Sequence, residues 1–329
     1  MNVRKLASSK FAFPVIAAII LALVPLFVWD PYLVHLAILL LMNIAITQGW
    51  NIIGGYTGYV SFGHAVFFGI GAYTAGMLEV YLNINPFISM IVGGITASIF
   101  ALITAYPFLK LRGPYFALGT LGLAEMIKTI IINEKKWTKG AIGLEIPGKF
   151  FVRTSPLTYY LTIYTIALAS ILLVYAVEHS DLGLALKAIR DNPDAAEMSG
   201  VNSTKYAIIA YTLSAITPGL AGAFYINYMT YIDPYTVFSA SISVGCVAMA
   251  EFGGSGTVLG PVLGTAIIFA LTEFLRGVLI QTYLIVYGVL LIIVVMFMPG
   301  GVLRIITGER PFRIPVSISM PKLSQKTES

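Results

Sequence analysis

Residues 180–201 read SDLGLALKAIRDNPDAAEMSGV, a polar segment between two long apolar runs. Its second half carries the signals of a short helix. Asn192 is a favourable N-cap, and Pro193 suits the first helical position. Asp194 lies in the first turn, where the helix dipole favours a negative charge, and Gly200 suits the left-handed position after the last turn. The upstream half has an apolar side formed by Leu184, Leu186, Ala188 and Ile189.

The apolar runs on either side of this segment decide the class of protein. Of the 329 residues, 58% are hydrophobic and only 11% are charged, and the mean hydropathy is +0.87. Soluble domains carry about 25% charged residues. Repeated apolar runs of about 20 residues match the length of a helix that crosses a bilayer. The composition therefore predicts an all-α polytopic membrane protein.

Ten apolar runs divide the chain into predicted spans. These are residues 11–28, 32–53, 65–82, 86–109, 115–132, 157–177, 206–231, 237–252, 261–279 and 283–298. The first run follows three basic residues, as a signal peptide would, but no small-residue cleavage site follows it. We therefore interpret it as an uncleaved first span. Residues 1–303 form the predicted transmembrane domain, and residues 304–329 form a basic tail.

The distribution of Lys and Arg predicts the orientation. Ten spans place both termini on one side, and basic residues prefer the cytoplasmic side. With the N-terminus inside, the cytoplasmic segments hold 13 of the 20 Lys and Arg residues, and segment 181–201 and the tail are cytoplasmic. Loop 133–156 is then external. An external position for this loop conflicts with the preference of basic residues for the cytoplasmic side, because the loop contains five of them. They are Lys135, Lys136, Lys139, Lys149 and Arg153.

Few ionisable residues lie inside the predicted spans, and each is a functional candidate because a charge at the bilayer centre costs about 2.5 kcal/mol or more. Glu125 and Lys128 are spaced i, i+3, as are Glu273 and Arg276. At this spacing each pair can neutralise itself on one helix face. Glu79 is close to a helix end, so we expect its carboxylate to snorkel towards water.

Two glycine-rich stretches, 54–64 and 253–260, lie between long apolar runs and are poor in charge. We expect non-helical backbone in both, which at membrane depth survives only where protein buries it or a cavity hydrates it. Interrupted helices often form the binding site of transporters. The candidate translocation path comprises Tyr56, Thr57, Tyr59, Ser61, His64, Glu125 and Glu251. The alternative interpretation is that these stretches are tight cytoplasmic turns without contact to a solute.

No catalytic machinery is visible in the sequence. There is no G-x-x-x-x-G-K-[ST] loop for ATP and no G-x-S-x-G elbow. Cys246 is the only cysteine, so the chain has no internal disulfide and no cysteine-based metal cage. The basic residues form no nucleic-acid patch. We expect no enzymatic activity, metal or cofactor in this chain, so that energy for transport comes from a partner or an ion gradient.

Residues 194–200, DAAEMSG, resemble the E-A-A-x-x-x-G loop of ABC importer permeases, with Asp194 in place of the usual Glu. The chain is also similar to the branched-chain amino acid permease family of the LivM type. The similar stretches occur in the family's order and are 55–65 (GYTGYVSFGHA), 111–118 (LRGPYFAL), 188–192 (AIRDN) and 253–264 (GGSGTVLGPVLG).

This resemblance implies a permease of type II-like ABC importer architecture in the inner membrane. Its implied partners are a second, LivH-like permease, two cytoplasmic ATPase subunits and an extracytoplasmic solute-binding protein. The implied activity is ATP-driven import of branched-chain amino acids or related small amino acids and amides. The resemblance makes residues 181–201 the ATPase-coupling loop, with Arg190, Asp191, Asn192, Pro193, Asp194, Ala195, Ala196, Glu197 and Gly200 as coupling residues.

Two alternatives stay open at this point. An ion-coupled secondary transporter of a small polar solute would use the intramembrane charges as coupling groups. These are Glu125, Lys128, Glu251, Glu273 and Arg276. The second alternative is the same ABC family with urea or a short amide as cargo.

Overall fold

The computed structural model describes residues 30–111, 113–146, 156–279, 288 and 301–303. Eight segments in these ranges are long and apolar enough to cross a membrane, and they correspond to eight of the ten predicted spans. The all-α polytopic fold class is confirmed. The first predicted span, the tenth apart from residue 288, and the tail 304–329 lie outside the described residues.

The described part of the chain is built from helices joined by short connections. The helices are α1 Pro31–Thr57, α2 His64–Leu82, α3 Pro86–Leu109, α4 Pro114–Asn133, α5 Pro156–Glu178, α6 Asp181–Asp191, α7 Pro193–Met198, α8 Ser203–Ser214, α9 Ile216–Met229, α10 Pro234–Val237, α11 Ala240–Gly253 and α12 Leu259–Val278. A 3₁₀ turn spans Gly140–Ile142. Two short strands, β1 Leu144–Glu145 and β2 Tyr231–Ile232, pair antiparallel, with Leu144 opposite Ile232.

Proline and a preceding polar residue explain where several helices begin. Proline occupies the first position of six of the described helices, where its missing N–H would have had no intrahelical acceptor. The Asp30 side chain accepts from Tyr32 N at 2.9 Å, and Asn85 accepts from Phe87 N at 2.9 Å. These caps fix the starts of α1 and α3.

Helix α1 is the central element and the most buried of the eight spans. It packs against α5, α6, α8, α9, α11 and α12. Its residues are apolar on all sides, which is typical of a helix surrounded by other helices. Three of the polar residues in its second half, Thr47, Gln48 and Asn51, are fully buried.

Helices α2 and α9 cross at very close range because glycines line the crossing. A Cβ built on Gly71 would lie 2.0 Å from Gly219 O, and one on Gly222 would lie 1.9 Å from Phe68 O. Small residues allow this approach of two backbones inside a membrane.

The sequence also contains small residues at four-residue spacing in α2, and the space beside them is used differently. The ring of Phe238 fills the space at Gly69, whereas Ile226 and Leu144 fill the space at Gly76. These glycines therefore admit side chains rather than another backbone.

One predicted boundary was wrong, and one confirmed span contains a break. Stretch 54–64 was expected to be non-helical, but α1 continues to Thr57 and ends where Gly58 takes φ +77°, so the non-helical backbone spans only 58–63. The predicted span 206–231 is interrupted at Ala215, between α8 and α9. Pro218 follows the interruption, and it has no N–H to continue the helical ladder from Ser214 O.

The connections between spans gather at two ends of the bundle. Gly58, Gly113, the α6–α7 segment and Gly256 lie together at one end, here called the coupling end. The other end, here called the strand end, carries β1, β2 and the folded part of loop 133–146, where Tyr81 donates to Trp137 O at 3.0 Å. With ten predicted spans and a cytoplasmic N-terminus, the four connections at the coupling end lie on the cytoplasmic side. This orientation stays a prediction.

We predict that Gly222→Ala lowers the melting temperature of the detergent-solubilised protein, because the new methyl group would force α2 and α9 apart; overpacking typically costs about 1–3 kcal/mol. The matched control is Gly245→Ala in α11, where an added Cβ has no atom within 4 Å. Fluorescence-detected size-exclusion chromatography after heating measures both. Equal melting temperatures for the two variants would contradict the close crossing.

Candidate functional site

The coupling loop, residues 181–201, has the local structure that its sequence predicts. Asn192 Oδ1 accepts from Asp194 N at 3.0 Å and from Ala195 N at 3.1 Å, which caps α7. Gly200 has φ +87°, and Val201 N donates to Ala196 O at 3.0 Å. This is the Schellman arrangement that ends a helix at a left-handed glycine.

One side of the coupling loop packs on the bundle. Leu186, Ile189 and Ala196 are buried in a cluster that includes Val177 of α5 and Tyr211 of α8. The predicted apolar side is therefore confirmed for Leu186 and Ile189.

Leu184 was expected on the same side, but it is 69% exposed. Met198 at the end of α7 is 90% exposed. The sequence analysis did not single out Met198. The bundle covers neither of these two apolar side chains, and the same loop exposes several carboxylates. The exposed acids of the loop are Asp181, Asp191, Asp194 and Glu197.

The two basic side chains of the loop point to groups of the transmembrane helices. Lys187 Nζ lies 3.3 Å from Glu178 Oε1 and 5.5 Å from the centre of the Tyr56 ring. Arg190 Nη1 donates to Gly55 O at 2.6 Å. Gly55 is in the last turn of α1, where carbonyl groups lack intrahelical donors and a cation is favoured. The loop therefore turns its cations towards α1 and α5 and its acids outward.

Polar residues of α1 hold the glycine-rich connection between α11 and α12. Asn51 Oδ1 accepts from Gly256 N at 2.8 Å, and Asn51 Nδ2 donates to Thr257 O at 2.8 Å. Gln48 Nε2 donates to Val258 O at 2.7 Å. The sequence analysis did not identify Gln48 or Asn51. Their signal was available, because two amides spaced i, i+3 in an apolar span lie on one helix face.

The four stretches that resemble the permease family meet at the coupling end. One cavity of about 480 Å³ is lined by residues from three of these regions, namely residues 57–60, Gly113, Pro114, Ala117, Ile189, Arg190 and Pro193. The fourth stretch adjoins it, because a Cβ on Gly256 would lie 2.5 Å from Arg190 Nη1. The stretches are distant in the sequence and form one structural unit in the fold.

Four of the candidate path residues, Tyr56, Thr57, Ser61 and His64, are buried at the α1–α2 turn. Thr57 Oγ1 donates to Ile53 O, and Ser61 Oγ accepts from Gly63 N at 3.2 Å. These hydroxyl groups stabilise the turn itself, as the alternative interpretation expects. Among the described residues, neither ring nitrogen of His64 has a hydrogen-bond partner.

The other candidate path residues are dispersed. Tyr59 lines the cavity, with its ring 5.2 Å from that of Phe116. Glu251 is half-buried on α11. Glu125 is exposed on α4, and its carboxylate lies 2.5 Å from Lys128 Nζ. A path through all seven residues stays a prediction.

The intramembrane ion pairs form within single helices. Besides Glu125 and Lys128, Arg276 Nη1 lies 2.8 Å from Glu273 Oε1 on α12. Self-neutralisation of both i, i+3 pairs is confirmed. Among the described residues, no group of three His, Cys, Asp or Glu side chains could hold a metal ion.

The expectation that Glu79 snorkels is wrong. Its side chain is buried near the strand end, where Glu79 Oε1 accepts from Ser89 Oγ and, at 2.8 Å, from Asn227 Nδ2. The carboxyl group thus links α2, α3 and α9. Sequence position alone could not show this, because the donors come from two other helices.

Comparison with known proteins identifies relatives along most of the chain. The family model described as branched-chain amino acid transport system / permease component matches residues 31–295. The high-affinity branched-chain amino acid transport system permease protein LivM of Escherichia coli K12 is 25% identical over 88% of this chain and 74% of its own length. The LivH permease of the corresponding system in Salmonella typhimurium is 25% identical over 78% of this chain and 90% of its own.

Relatives with other cargoes also match. The fructose import permease protein FrcC of Rhizobium meliloti is 36% identical, but over only 38% of this chain and 36% of its own. No solved structure matches. All three relatives are permease proteins of transport or import systems.

We predict that Glu79→Leu lowers the melting temperature of the detergent-solubilised protein, because it removes two hydrogen bonds to a buried carboxyl group at about 1–3 kcal/mol. Glu79→Gln keeps an acceptor oxygen and should retain most of the stability. Glu145→Leu, at an exposed position in β1, is the control for the change of residue type. The link between α2, α3 and α9 would be refuted if Glu79→Leu and Glu145→Leu melted alike.

Proposed function

Because the chain belongs to the family of branched-chain amino acid transport permeases, we propose that it is the membrane-spanning permease subunit of an ABC importer. It is a multi-pass protein of the inner membrane. Import is driven by ATP hydrolysis on two cytoplasmic ATPase subunits. A second, LivH-like permease completes the pathway, and an extracytoplasmic binding protein delivers the solute.

The observation that carries this proposal is the outer face of the coupling loop. Leu184 and Met198 are large, apolar and exposed, and they lie outside the predicted spans, so contact with a partner protein would remove their apolar surface from water. The acids around them argue against lipid as the contact, because the cytoplasmic leaflet is itself negatively charged. A protein groove that is apolar inside and basic at its rim fits both features. We assign this groove to the ATPase subunits.

In the proposed cycle, closure of the two ATPase subunits displaces the coupling loop, and the transmembrane helices alternate between outward-open and inward-open arrangements. The coupling end is cytoplasmic in this scheme. The strand end then faces outward and receives the binding protein, and its folded loop presents exposed Trp137 and Ile142. The fold needs no nucleotide site of its own in this arrangement.

Branched-chain amino acids are the proposed cargo, and the names of the LivM and LivH relatives support it. Those relatives align with most of this chain, whereas the fructose permease aligns with a minor part. Urea or a short amide stays the alternative cargo. The ion-coupled alternative loses support, because four of its five proposed coupling groups are paired with each other on α4 and α12.

Uptake of radiolabelled leucine into vesicles that contain the native complex tests the proposal. We expect uptake that needs internal ATP and the binding protein, and that survives an uncoupler of the proton and sodium gradients. Subunits that co-purify with the chain should include two copies of an ATPase. Uptake that persists without ATP and collapses with the uncoupler would overturn the proposal.

We predict that Met198→Ala weakens retention of the ATPase subunits about 10-fold, since a central interface residue contributes about 1.4 kcal/mol or more. The matched control is Met126→Ala on α4, which removes a 51% exposed methionine from an apolar span. Co-purification at a series of ATPase concentrations measures the loss. Equal retention by both variants would remove Met198 from the interface.

We also predict that Gly200→Trp abolishes transport and its coupling to ATP hydrolysis while membrane insertion persists. An added Cβ at Gly200 has no atom within 4 Å, so the first atom of the new side chain meets no part of the bundle. A Trp side chain is unfavourable at the φ of +87° that Gly200 adopts. It would also project into the surface where we propose that the ATPase subunits bind. Unimpaired uptake by this variant would count against a coupling role for the loop.

A further inference from the structure

The coupling loop has only two covalent routes to the transmembrane helices, through α5 before it and through α8 after it. Helices α11 and α12 lie far away in the sequence, and α1 lies more than a hundred residues upstream. A displacement of the loop can therefore reach these helices only through non-covalent contacts. Leu186 and Ile189 of the loop are buried in one cluster with Ile52, Ile53 and Tyr56 of α1, and Lys187 lies over the Tyr56 ring. The polar contact that reaches both α1 and the α11–α12 connection is made by Arg190.

Arg190 contacts the C-terminal end of α1 at two points. Its Nη1 donates to Gly55 O at 2.6 Å, in the last turn of α1. Its Cγ would lie 3.4 Å from a Cβ on Gly58, so the stem follows the end of the same helix. A hydrogen bond from a guanidinium to a carbonyl at a helix C-terminus is favoured by both the charge and the unsatisfied oxygen.

Gly256 lies directly against the hydrogen bond between Arg190 and Gly55. Its φ is +76°, and a Cβ on it would lie 2.5 Å from Arg190 Nη1 and 2.8 Å from Gly55 O. Only glycine allows the α11–α12 connection to approach the bonded pair so closely. Arg190, Gly55 and Gly256 therefore meet at one point, although each belongs to a different segment of the chain.

Helix α1 extends the contact along one face. Gln48, Asn51 and Gly55 are spaced as neighbours on a single helix side, and they meet residues 256–258 and Arg190 in succession. Gln48 and Asn51 are fully buried, so their hydrogen bonds do not compete with bulk water. The α11–α12 connection is thus fixed to α1 as one unit.

We infer that Arg190 is the positioning residue that joins the coupling loop to α1 and to the α11–α12 connection, so that a displacement of the loop moves these helices together. The inference rests on the proposed function, since it names how the proposed ATPase subunits act on the bundle. It separates two roles within the loop. Leu184 and Met198 contact the ATPase, whereas Arg190 transmits the displacement inward.

Two variants disrupt the contact between Arg190, Gly55 and Gly256, here called the Arg190 joint, and each changes a different partner. Arg190→Gln removes the guanidinium, and Gly256→Ala places a methyl group against it. Arg190→Lys is the conservative variant, because it keeps a donor but loses the planar group. Gly245→Ala on α11 is the control, because an added Cβ there meets no atom within 4 Å. Size-exclusion profiles verify that each complex assembles.

The readout is a distance that the joint should control. In a Cys246→Ser background, nitroxide labels are placed at Leu102 on α3 and Ile267 on α12, both exposed positions. Pulsed electron resonance compares the nucleotide-free complex with the complex trapped by ATP and vanadate. The same complexes are assayed for leucine uptake per ATP hydrolysed.

We expect the distance between the two labels to change on trapping in the complex with an unmodified Arg190 joint and in the Gly245→Ala complex. The shift should be lost in Arg190→Gln and Gly256→Ala, with at least about 10-fold less uptake per ATP, equivalent to 1.4 kcal/mol. Arg190→Lys should recover part of both. The double variant Arg190→Gln/Gly256→Ala should be no worse than the poorer single variant, because both changes break one contact.

A shift that persists in Arg190→Gln overturns the inference, as does an unmodified complex that imports with ATP but shows no shift. Loss of the ATPase subunits from Arg190→Gln would also overturn it, because Arg190 would then be an interface residue. Failure of the proposed function looks different. In that case the unmodified complex shows neither ATP-dependent uptake nor binding of an ATPase.

Discussion

Polar backbone groups that are buried within the bundle cannot rely on water, and this constraint organises the coupling end. The last carbonyls of α1 and the glycine-rich connection after α11 both need partners. Arg190 supplies a donor to Gly55 O, and Asn51 supplies both an acceptor and a donor to residues 256–257. Segments that are remote in the sequence are thereby fixed at one point.

This arrangement explains why the coupling loop has one side that contacts the bundle and one exposed side. Its buried side and its cations serve the bundle, whereas its acids and two large apolar side chains are left outside. A surface that mixes carboxylates with Leu184 and Met198 suits neither bulk water nor an anionic leaflet. Such a surface suits the contact with ATPase subunits that we propose.

The intramembrane charges serve structure in a similar way. Glu125 with Lys128 and Glu273 with Arg276 are neutralised within single helices, and Glu79 is held by donors from two neighbouring helices. An isolated charge in hydrocarbon is energetically costly, and each of these three carboxyl groups has a nearby ion-pair or hydrogen-bond partner.

The sequence by itself determined the membrane class, eight spans of the described chain and the capped helix at 192–200, because hydrophobic length and capping chemistry are local properties. It also predicted the i, i+3 ion pairs, which depend on helix geometry alone. Only the tertiary structure placed Arg190 on Gly55, Gln48 and Asn51 on residues 256–258, and Glu79 between α3 and α9. Those partners are separated by up to about two hundred residues, and no local pattern specifies which helices meet. The exposure of Leu184 and Met198 was decided in the same way, because it depends on which side of α6 and α7 the bundle covers.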